Sequence, residues 1–418
     1  MRLNKYTIKI KYDNGYILYS LISKMLIIVE SDFFINETNQ IDENIDSVQC
    51  KYLKDHFIIS DDDFRDYDNI IEIAHYFNKQ DEIGRFMIHL GYECNLRCSY
   101  CYQSNIKNYK KKNTANIINT ISKIIKKEKF SELDVCFIGG EPLIYVNDIL
   151  KISDAISSNI KNKKVSYSVV TNGTLLKNND ILSKLKKYNI KEFQITLDGL
   201  KEEHDKFRND NNKGSFELII RNLKYIQNKH EDINILINCN ISKYNYKNVY
   251  KIIDFLKTND IKYPIFFSLI FDSNKNQNNS VKYSGNIWYS VHKYAINNGH
   301  NYLPFYRDMY LGCAMTQSNY YIINPEGKVY SCINGIENDE YFISDNSDNI
   351  ENIKKIKMMN LEKKINSWPL ECKNCQLLPI CFGGCDYRNK LNGFECDKNF
   401  MLKNEVGIIK EIVNVRSL

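Results

Sequence analysis

A repeated unit constrains the fold of this 418-residue chain more than any other feature of its sequence. From Arg85 onward, a short apolar run rich in β-forming residues is followed by a stretch of helical periodicity, and this pair recurs six times. Such alternation builds a parallel sheet whose strands are joined by helices. Six units are two fewer than a closed eight-stranded barrel needs. The sequence therefore predicts an α/β fold built on a partial (β/α)6 barrel, with its chemistry at the carboxyl ends of the strands.

The strands of the predicted barrel are short and separated by amphipathic helices, such as those predicted over 114–128 and 215–229. The six strand candidates are RFMIHLGYE (85–93), LDVCFIGGE (133–141), VSYSVVTNG (165–173), EFQITLDG (192–199), INILINCNI (233–241) and YPIFFSLI (263–270).

Two further regions flank this repeat. Residues 1–84 contain YTIKIKY, a DNG turn, YILYSL and KMLIIVE, a pattern that predicts a small antiparallel meander followed by helical material. Past about residue 300 the repeat stops, and seven cysteines fall between Cys313 and Cys396. Metal rather than a large apolar core would organise such a region. We therefore predict a small N-terminal α+β module (1–84), a barrel (85–290) and a C-terminal cysteine-rich iron-sulfur domain (291–418).

Charge and cysteine content limit the class of protein. The formal net charge is +6, but the lysines are spread along the chain, so no nucleic-acid-binding surface is predicted. The apolar stretch from Tyr16 to Val29 is short and interrupted by Lys24, which argues against a membrane span or a secretory signal. A cytoplasmic location is expected, where thirteen cysteines stay reduced. Metal ligation or catalysis then explains them better than disulfides.

The first cysteine motif directly follows the first predicted strand. Cys94, Cys98 and Cys101 have CxxxCxxC spacing, with Tyr100 before the last cysteine. Three thiolates can hold three irons of a cubane cluster, leaving the fourth iron open for a small molecule with an amine and a carboxylate. The alternative is a three-cysteine zinc knuckle or unrelated buried thiols.

This loop and the later strand ends resemble the radical SAM superfamily over roughly residues 85–270. The resemblance implies a 4Fe-4S cluster on the three cysteines, S-adenosylmethionine as cofactor, and an enzyme that generates a 5′-deoxyadenosyl radical. It also implies cofactor contacts from Tyr100, Gly139, Gly140, Glu141, Thr171, Asn172, Thr196, Asp198 and Arg208.

Individual roles follow from the same resemblance. The Gly139–Gly140–Glu141–Pro142 turn would bind the methionine amino group, and glycine permits the close backbone approach. Thr196 and Asp198 are expected at the ribose, and Arg208 near the cofactor carboxylate. Taken alone, GGEP is an ordinary βα turn, and the TNGT segment (171–174) equally fits a helix cap or a turn.

The C-terminal cysteine spacing resembles the SPASM domain of radical SAM enzymes that modify peptides and proteins. The resemblance implies two auxiliary 4Fe-4S clusters, which makes three clusters in total. The outer one would be bound by Cys372, Cys375, Cys381 and Cys396, and the inner one by Cys313, Cys332 and Cys385. A four-cysteine structural zinc site is the alternative. The remaining Cys50, Cys136 and Cys239 are interpreted as small buried hydrophobic residues.

Two departures from that family bear on function. Fully ligated members carry an eighth cysteine, which residues 300–312 lack. Either a side chain such as His300 or Asp308 substitutes, or the inner cluster keeps an open iron that binds a substrate thiolate and favours thioether formation. The sulfatase-maturing branch has an aspartate base directly after the second SPASM cysteine. Here Ile333 follows Cys332, which weakens that alternative.

The function predicted from these features is a maturase that links a cysteine sulfur to a carbon of a ribosomally made peptide. Its partners would be a precursor peptide or protein substrate and a reducing electron donor of flavodoxin or ferredoxin type, with no nucleic acid and no membrane. Residues 1–84 would bind a leader segment or cover the side or bottom of the barrel. The alternatives are carbon-carbon crosslinking, formylglycine formation, or a non-catalytic zinc-stabilised binding protein.

Overall fold

The structure is a computed structural model that describes most of the chain. The described residues are 1–34, 39–42, 45–61, 63–79, 82–106, 112–160, 163–210, 213–270, 287–299, 313–345, 350–394 and 396–416.

The N-terminal module contains the predicted antiparallel meander. Strands β2, β3 and β4 form a three-stranded antiparallel sheet in that order, and β1 pairs with β5. A left-handed Asp13 (φ 44°) makes the tight turn between β2 and β3. The elements of the module are β1 (Arg2–Leu3), β2 (Thr7–Tyr12), β3 (Gly15–Ser20), β4 (Leu26–Glu30), α1 (Ser47–Asp55), β5 (Ile59–Ser60) and α2 (Asp63–Lys79).

The barrel follows, and its six strands are the six that the sequence predicts. All neighbouring pairs among them are parallel. The elements are β6 (Ile83–His89), α3 (Thr114–Lys127), β7 (Glu132–Ile138), α4 (Val146–Asn159), β8 (Lys164–Thr171), α5 (Asn179–Lys187), β9 (Glu192–Thr196), α6 (Lys201–Phe207), β10 (Asn209–Asp210), β11 (Lys213–Gly214), α7 (Phe216–Lys229), β12 (Asn234–Ile241), α8 (Lys251–Thr258), β13 (Ile265–Leu269) and α9 (Ile287–Asn297).

Isoleucine-rich periodicity builds the core between this sheet and its helices. On β6, Phe86 and Ile88 are fully buried at alternate positions, while α3 buries Ile117, Ile121 and Ile124 at three- and four-residue spacing. Burying one such side chain stabilises the fold by about 1.5–3 kcal/mol. The apolar faces therefore fix both strand register and helix orientation, which holds the loops at the carboxyl ends of the strands.

The C-terminal domain continues the barrel sheet. Strand β14 pairs in parallel with β6, and β15 and β16 add antiparallel strands, giving a nine-stranded mixed sheet. The predicted fold class, a partial barrel with an N-terminal module and a cysteine-rich C-terminal region, is confirmed. The elements are β14 (Tyr320–Ile323), β15 (Val329–Tyr330), β16 (Phe342–Ser344), α10 (Ile350–Asn366), α11 (Leu370–Lys373), α12 (Leu378–Cys381), α13 (Asp386–Asn392) and α14 (Lys398–Arg416).

The N-terminal module shares a hydrophobic core with the cysteine-rich region. Tyr6 and Ile17 belong to the same buried cluster as Trp368 and Phe382. Polar contacts reinforce this packing, since the Gln376 side chain donates to the Thr7 carbonyl at 2.8 Å. The module therefore lies beside the C-terminal cysteines. Within the described residues, the helices are too short or too polar to cross a bilayer.

Candidate cofactor and cluster sites

A cavity of about 560 Å³ lies at the carboxyl ends of the barrel strands, a size typical of small-molecule sites. It collects residues from the cluster loop and from β7, β8 and β9, together with Arg208. Its lining is Tyr92, Cys94, Leu96, Arg97, Cys98, Ser99, Tyr100, Cys101, Tyr102, Gln103, Gly139, Gly140, Val170, Thr171, Asn172, Thr196 and Arg208.

The cluster loop is held by its backbone, which leaves its three thiols facing the cavity. The amides of Arg97 and Ser99 donate to the carbonyls of Asn209 and Phe207, at 2.7 and 3.0 Å. Burial raises the pKa of the Cys98 thiol to about 11, while the Arg208 guanidinium acts in the opposite direction. A thiol with so high a pKa stays protonated until metal binding displaces the proton.

The double glycine after β7 packs directly on this loop. The amides of Gly140 and Glu141 donate to the carbonyls of Gly91 and Glu93, at 2.8 and 2.9 Å. A Cβ atom on Gly140 would lie 2.2 Å from the Glu93 carbonyl oxygen, so a side chain would push the two backbones apart. Glycine at this position therefore closes the gap between the turn and the cluster loop.

Glu141 ties the glycine turn to the end of β8. Its buried carboxylate accepts hydrogen bonds from the Leu143 amide (3.0 Å), the Thr171 hydroxyl (2.7 Å) and the Asn172 amide (2.8 Å). It does not line the cavity. Thr171 and Asn172 do, and Asn172 also donates to the Asn95 side chain at 2.8 Å. In this structure Glu141 positions cavity residues, and cofactor contact by its own side chain stays a prediction.

A buried polar cluster supports Tyr100 of the cluster loop. The Tyr100 hydroxyl donates to Asp198 and accepts from Arg208 at 2.9 Å. Asp198 also accepts two hydrogen bonds from Asn240, both at 3.0 Å, and lies 3.9 Å from the Arg208 guanidinium. Asp198 therefore lies behind Tyr100 rather than in the cavity lining, whereas Thr196 lines the cavity. The ribose contacts stay predictions.

The residues of this cavity fit S-adenosylmethionine and a three-thiolate cluster. The Nε of Arg208 is buried and has no hydrogen-bond partner, so it offers a free donor for a carboxylate. The three cysteines, the backbone of the glycine turn, and the polar side chains of Asn172 and Thr196 line the same space. Thiolate, amide and guanidinium groups are the donors that a cluster and a sulfonium amino acid require.

The outer set of C-terminal cysteines surrounds a second cavity. Arg388 and Asp397, joined by an ion pair of 2.6 Å, also line it. Burial, together with the charges of the other three sulfurs, raises the pKa of Cys372 to about 11. The four sulfurs that line this cavity belong to Cys372, Cys375, Cys381 and Cys396.

The inner set forms a separate group. Burial raises the pKa of the Cys332 thiol to about 12, and the charges of Cys313 and Cys385 act in the same direction. Cys385 joins this group, although Cys381 is only four residues away. The reason is backbone geometry, since Phe382, Gly383 and Gly384 all have positive φ (49°, 73° and 82°) and reverse the chain direction between the two sulfurs.

A fully buried lysine accompanies the inner set. Lys357 on α10 donates to the carbonyls of Ala314, at 2.7 Å, and Tyr320. Burial lowers its pKa to about 7, and the charge of Cys313 opposes this shift. Among the described residues no carboxylate forms an ion pair with Lys357. A buried cation without a counter-charge is costly, so its position fits an anionic cluster beside Cys313.

No sequence motif predicts two polar contacts made by the cavity residues Tyr92 and Gln103. The Tyr92 hydroxyl donates to Glu337 at 2.5 Å, which joins the barrel to the C-terminal domain. Glu337 has φ 64°, a strained backbone for a non-glycine residue. In the same cavity lining, the Gln103 side chain bridges His89 and the Gly139 carbonyl, both at 3.0 Å. Burial lowers the pKa of His89 to about 3, so its ring is neutral.

The structure shows where the remaining cysteines lie, and it can be compared with the arrangement that a zinc site needs. None of the thirteen cysteines, all of which the structure describes, forms a disulfide. Cys239 is buried in the barrel core, Cys136 lies on β7, and Cys50 contacts Met1 from α1. In the described part of the chain, no three His, Cys, Asp or Glu side chains are arranged around a single metal ion. His300 and Asp308 lie outside the described residues.

Comparisons with known proteins agree with this architecture. The radical SAM superfamily profile matches residues 88–256. A cysteine-type anaerobic sulfatase-maturating enzyme of Clostridium novyi (strain NT) is 30% identical over 334 residues, spanning 72% of this chain and 87% of that protein. The solved structure of native anSMEcpe with bound AdoMet and Kp18Cys peptide is similar to this one, with a TM-score of 0.66 and 20% sequence identity. The match covers 80% of this chain and 100% of that chain. Streptococcus suis SuiB bound to precursor peptide SuiA has a TM-score of 0.57 at 16% identity, over 94% and 97%.

Proposed function

The chain belongs to the radical SAM superfamily, in the group with a C-terminal SPASM domain, and from this premise we propose that it is a maturase of a ribosomally made peptide. The observation that carries the proposal is the cavity at the strand ends, where Cys94, Cys98 and Cys101 face the glycine turn and Arg208. A 4Fe-4S cluster held by the three cysteines, with S-adenosylmethionine beside it, would supply the radical chemistry needed for hydrogen abstraction from the peptide.

The chain's own residues orient and shield this chemistry. Arg208 offers its unpartnered Nε to the cofactor carboxylate, and Thr196 offers a hydroxyl to the ribose. Glu141 holds the glycine turn and the end of β8 in one fixed arrangement through its three accepted hydrogen bonds. Such preorganisation means that the cofactor meets donors already in place, which is the main contribution a protein makes to cofactor chemistry.

Two auxiliary 4Fe-4S clusters complete the proposed enzyme. The outer set offers four thiols around one cavity, which would saturate a cubane, whereas the inner set offers three thiols. If Cys313, Cys332 and Cys385 alone held a cluster, one of its irons would be left for a substrate thiolate, whose pKa it would lower. This supports thioether formation between a cysteine sulfur and a substrate carbon as the specific reaction.

Formylglycine formation is the second candidate, favoured by the 30% identity to the Clostridium novyi sulfatase-maturating enzyme. Against it stands Ile333, which packs with Tyr330 and Ile336 in a hydrophobic cluster and supplies no base next to Cys332. Carbon-carbon crosslinking is a third outcome of the same hydrogen abstraction. These reactions differ in the product and share the radical chemistry.

Mass analysis of a coexpressed peptide separates these outcomes. The test is to express the enzyme anaerobically with a cysteine-containing peptide encoded beside its gene, then to measure peptide mass and free thiols. Thioether formation removes two hydrogens and one free thiol while keeping the sulfur. Formylglycine formation removes the sulfur atom, and carbon-carbon crosslinking keeps the thiol. An unmodified peptide, from enzyme that cleaves S-adenosylmethionine, would contradict the maturase proposal.

The N-terminal module offers a place for the precursor's leader segment. The outer edge of β4 has no strand partner among the described residues, and a groove of about 740 Å³ lies between β4 and α1. An extended peptide can add to such an edge through backbone hydrogen bonds. Glu30, Asp32 and Asp42 line the groove, so a basic leader segment fits it best. The Val48→Arg variant should weaken leader binding in fluorescence anisotropy, whereas Met359→Arg, also exposed, should not.

A further inference from the structure

An exposed aromatic ring flanked by lysines lies next to the cluster loop. Tyr244 is 44% exposed, and its ring centroid lies 4.9 Å from that of Phe207. The ammonium groups of Lys206 and Lys243 lie 5.0 and 4.9 Å from the centroid of the Tyr244 ring. Neither lysine forms an ion pair with any described residue. Their charge is therefore available to a partner.

This surface connects directly to the candidate cluster. The Phe207 carbonyl accepts a hydrogen bond from the Ser99 amide, and the Phe207 ring lies 6.4 Å from that of Tyr100, which lines the cofactor cavity. Arg97, exposed on the same loop, donates to the Cys94 carbonyl at 2.7 Å. A continuous row of aromatic rings thus runs from the cavity wall to the surface. We call Arg97, Lys206, Lys243 and Tyr244 the cluster-loop surface.

We propose that the cluster-loop surface docks an acidic flavodoxin, the carrier that reduces the radical SAM cluster. The inference rests on the proposed function, because that chemistry consumes one electron for each cofactor cleaved. Lysines without ion-pair partners, located where an electron would reach the cluster, attract an acidic partner and orient it. The part of the Tyr244 side chain that stays exposed beside the two ammonium groups offers an apolar contact to the exposed edge of a flavin. The reduced flavin loses one electron, the cluster gains it, and no covalent bond changes.

Charge reversal on this surface tests the proposal. The double variant Lys206→Glu/Lys243→Glu should lower the flavodoxin-supported kcat/KM for 5′-deoxyadenosine formation at least tenfold at low ionic strength. With dithionite, a small reductant that needs no docking, its rate should equal that of wild type. High salt should reduce the difference, because exposed charges are screened within about 10 Å at 0.1 M. The control is Lys187→Glu/Lys229→Glu, at the carboxyl ends of α5 and α7 near the opposite end of the barrel.

Each outcome decides the proposal. An equal loss of flavodoxin-supported activity in both double variants would overturn it, as would an unchanged rate in the Lys206 and Lys243 variant. A loss that appears equally with dithionite would also overturn it, because it would mean a structural role. So would a defect seen with ferredoxin but not with flavodoxin. Failure of the wild type to cleave S-adenosylmethionine with dithionite would instead refute the proposed function.

Discussion

Replacing the Glu141 carboxylate by an amide should loosen the contact between the glycine turn and the end of β8, which form two parts of the wall of the cofactor cavity. One carboxylate oxygen accepts from the Leu143 amide and the Thr171 hydroxyl, and the other accepts from the Asn172 amide. In Glu141→Gln, the side-chain NH2 group must face one of these donors. One charge-assisted hydrogen bond, worth about 1.5–3 kcal/mol, is lost and the others weaken. Removing a buried charge offsets part of this, so we expect a net local loss of about 2–4 kcal/mol.

Hydrogen exchange measures this loss at the place where it occurs. In apoprotein, amide exchange in peptides covering 139–145 and 170–174 should become at least tenfold faster in Glu141→Gln, since 1.4 kcal/mol is a factor of about ten. Binding of S-adenosylmethionine to reconstituted enzyme should weaken by a similar factor. The control is Glu132→Gln, at the other end of β7, where only an exposed ion pair of 3.4 Å to Lys164 is lost. Equal exchange in the two variants would refute the bracing role of Glu141.

Three further predictions concern charge and ligation. Lys357→Met should lower the reduction potential of one auxiliary cluster, as measured in an EPR-monitored titration. The reason is that a buried cation beside Cys313 stabilises the reduced cluster, which carries more negative charge. An unchanged potential would contradict this. The folded-state pKa of His89 is about 3, so the unfolded chain binds an extra proton below about pH 6.5. From His89 alone, the free energy of unfolding should therefore fall by about 2 kcal/mol between pH 7.5 and 5, and His89→Gln should lose that much less than wild type in urea unfolding. Cys375→Ala should lower iron content by about four per chain, whereas Cys50→Ala should not.

Local signals explain why the barrel could be predicted from sequence. The buried positions of β6 and α3 recur at strand and helix spacing, and such patterns do not depend on distant residues. The predicted strand 133–141 is longer than the observed one, which ends at Ile138. The reason is that Gly139 and Gly140 leave the sheet direction and pack on the cluster loop, where the Gly140 amide donates to Gly91.

Contacts between residues far apart in sequence could not be predicted. Strand β14 pairs with β6, and nothing in the sequence of Tyr320–Ile323 specifies that partner. The N-terminal module packs on the cysteine-rich region for a similar reason, since its buried Tyr6 and Ile17 would suit any apolar surface. Pairing between distant strands is set by the whole packed core.

Within the site, sequence spacing predicts the cysteine sets but not the supporting hydrogen bonds. Asp198 lies behind Tyr100 because Asn240 on the neighbouring strand donates to it twice, a contact that no motif encodes. The Tyr92–Glu337 contact spans two domains and is equally invisible in the sequence. The turn through Phe382, Gly383 and Gly384 did have a signal, because adjacent glycines permit the positive φ angles that separate Cys381 from Cys385.

Formation of 5′-deoxyadenosine by Cys98→Ala shows whether Cys94, Cys98 and Cys101 hold the cluster that cleaves S-adenosylmethionine. Anaerobically reconstituted wild type, with about twelve irons if all three clusters are cubanes, should form 5′-deoxyadenosine when dithionite is added. Cys98→Ala, prepared in parallel, should form none while keeping the auxiliary irons. Formation at the wild-type rate in this variant would contradict the account.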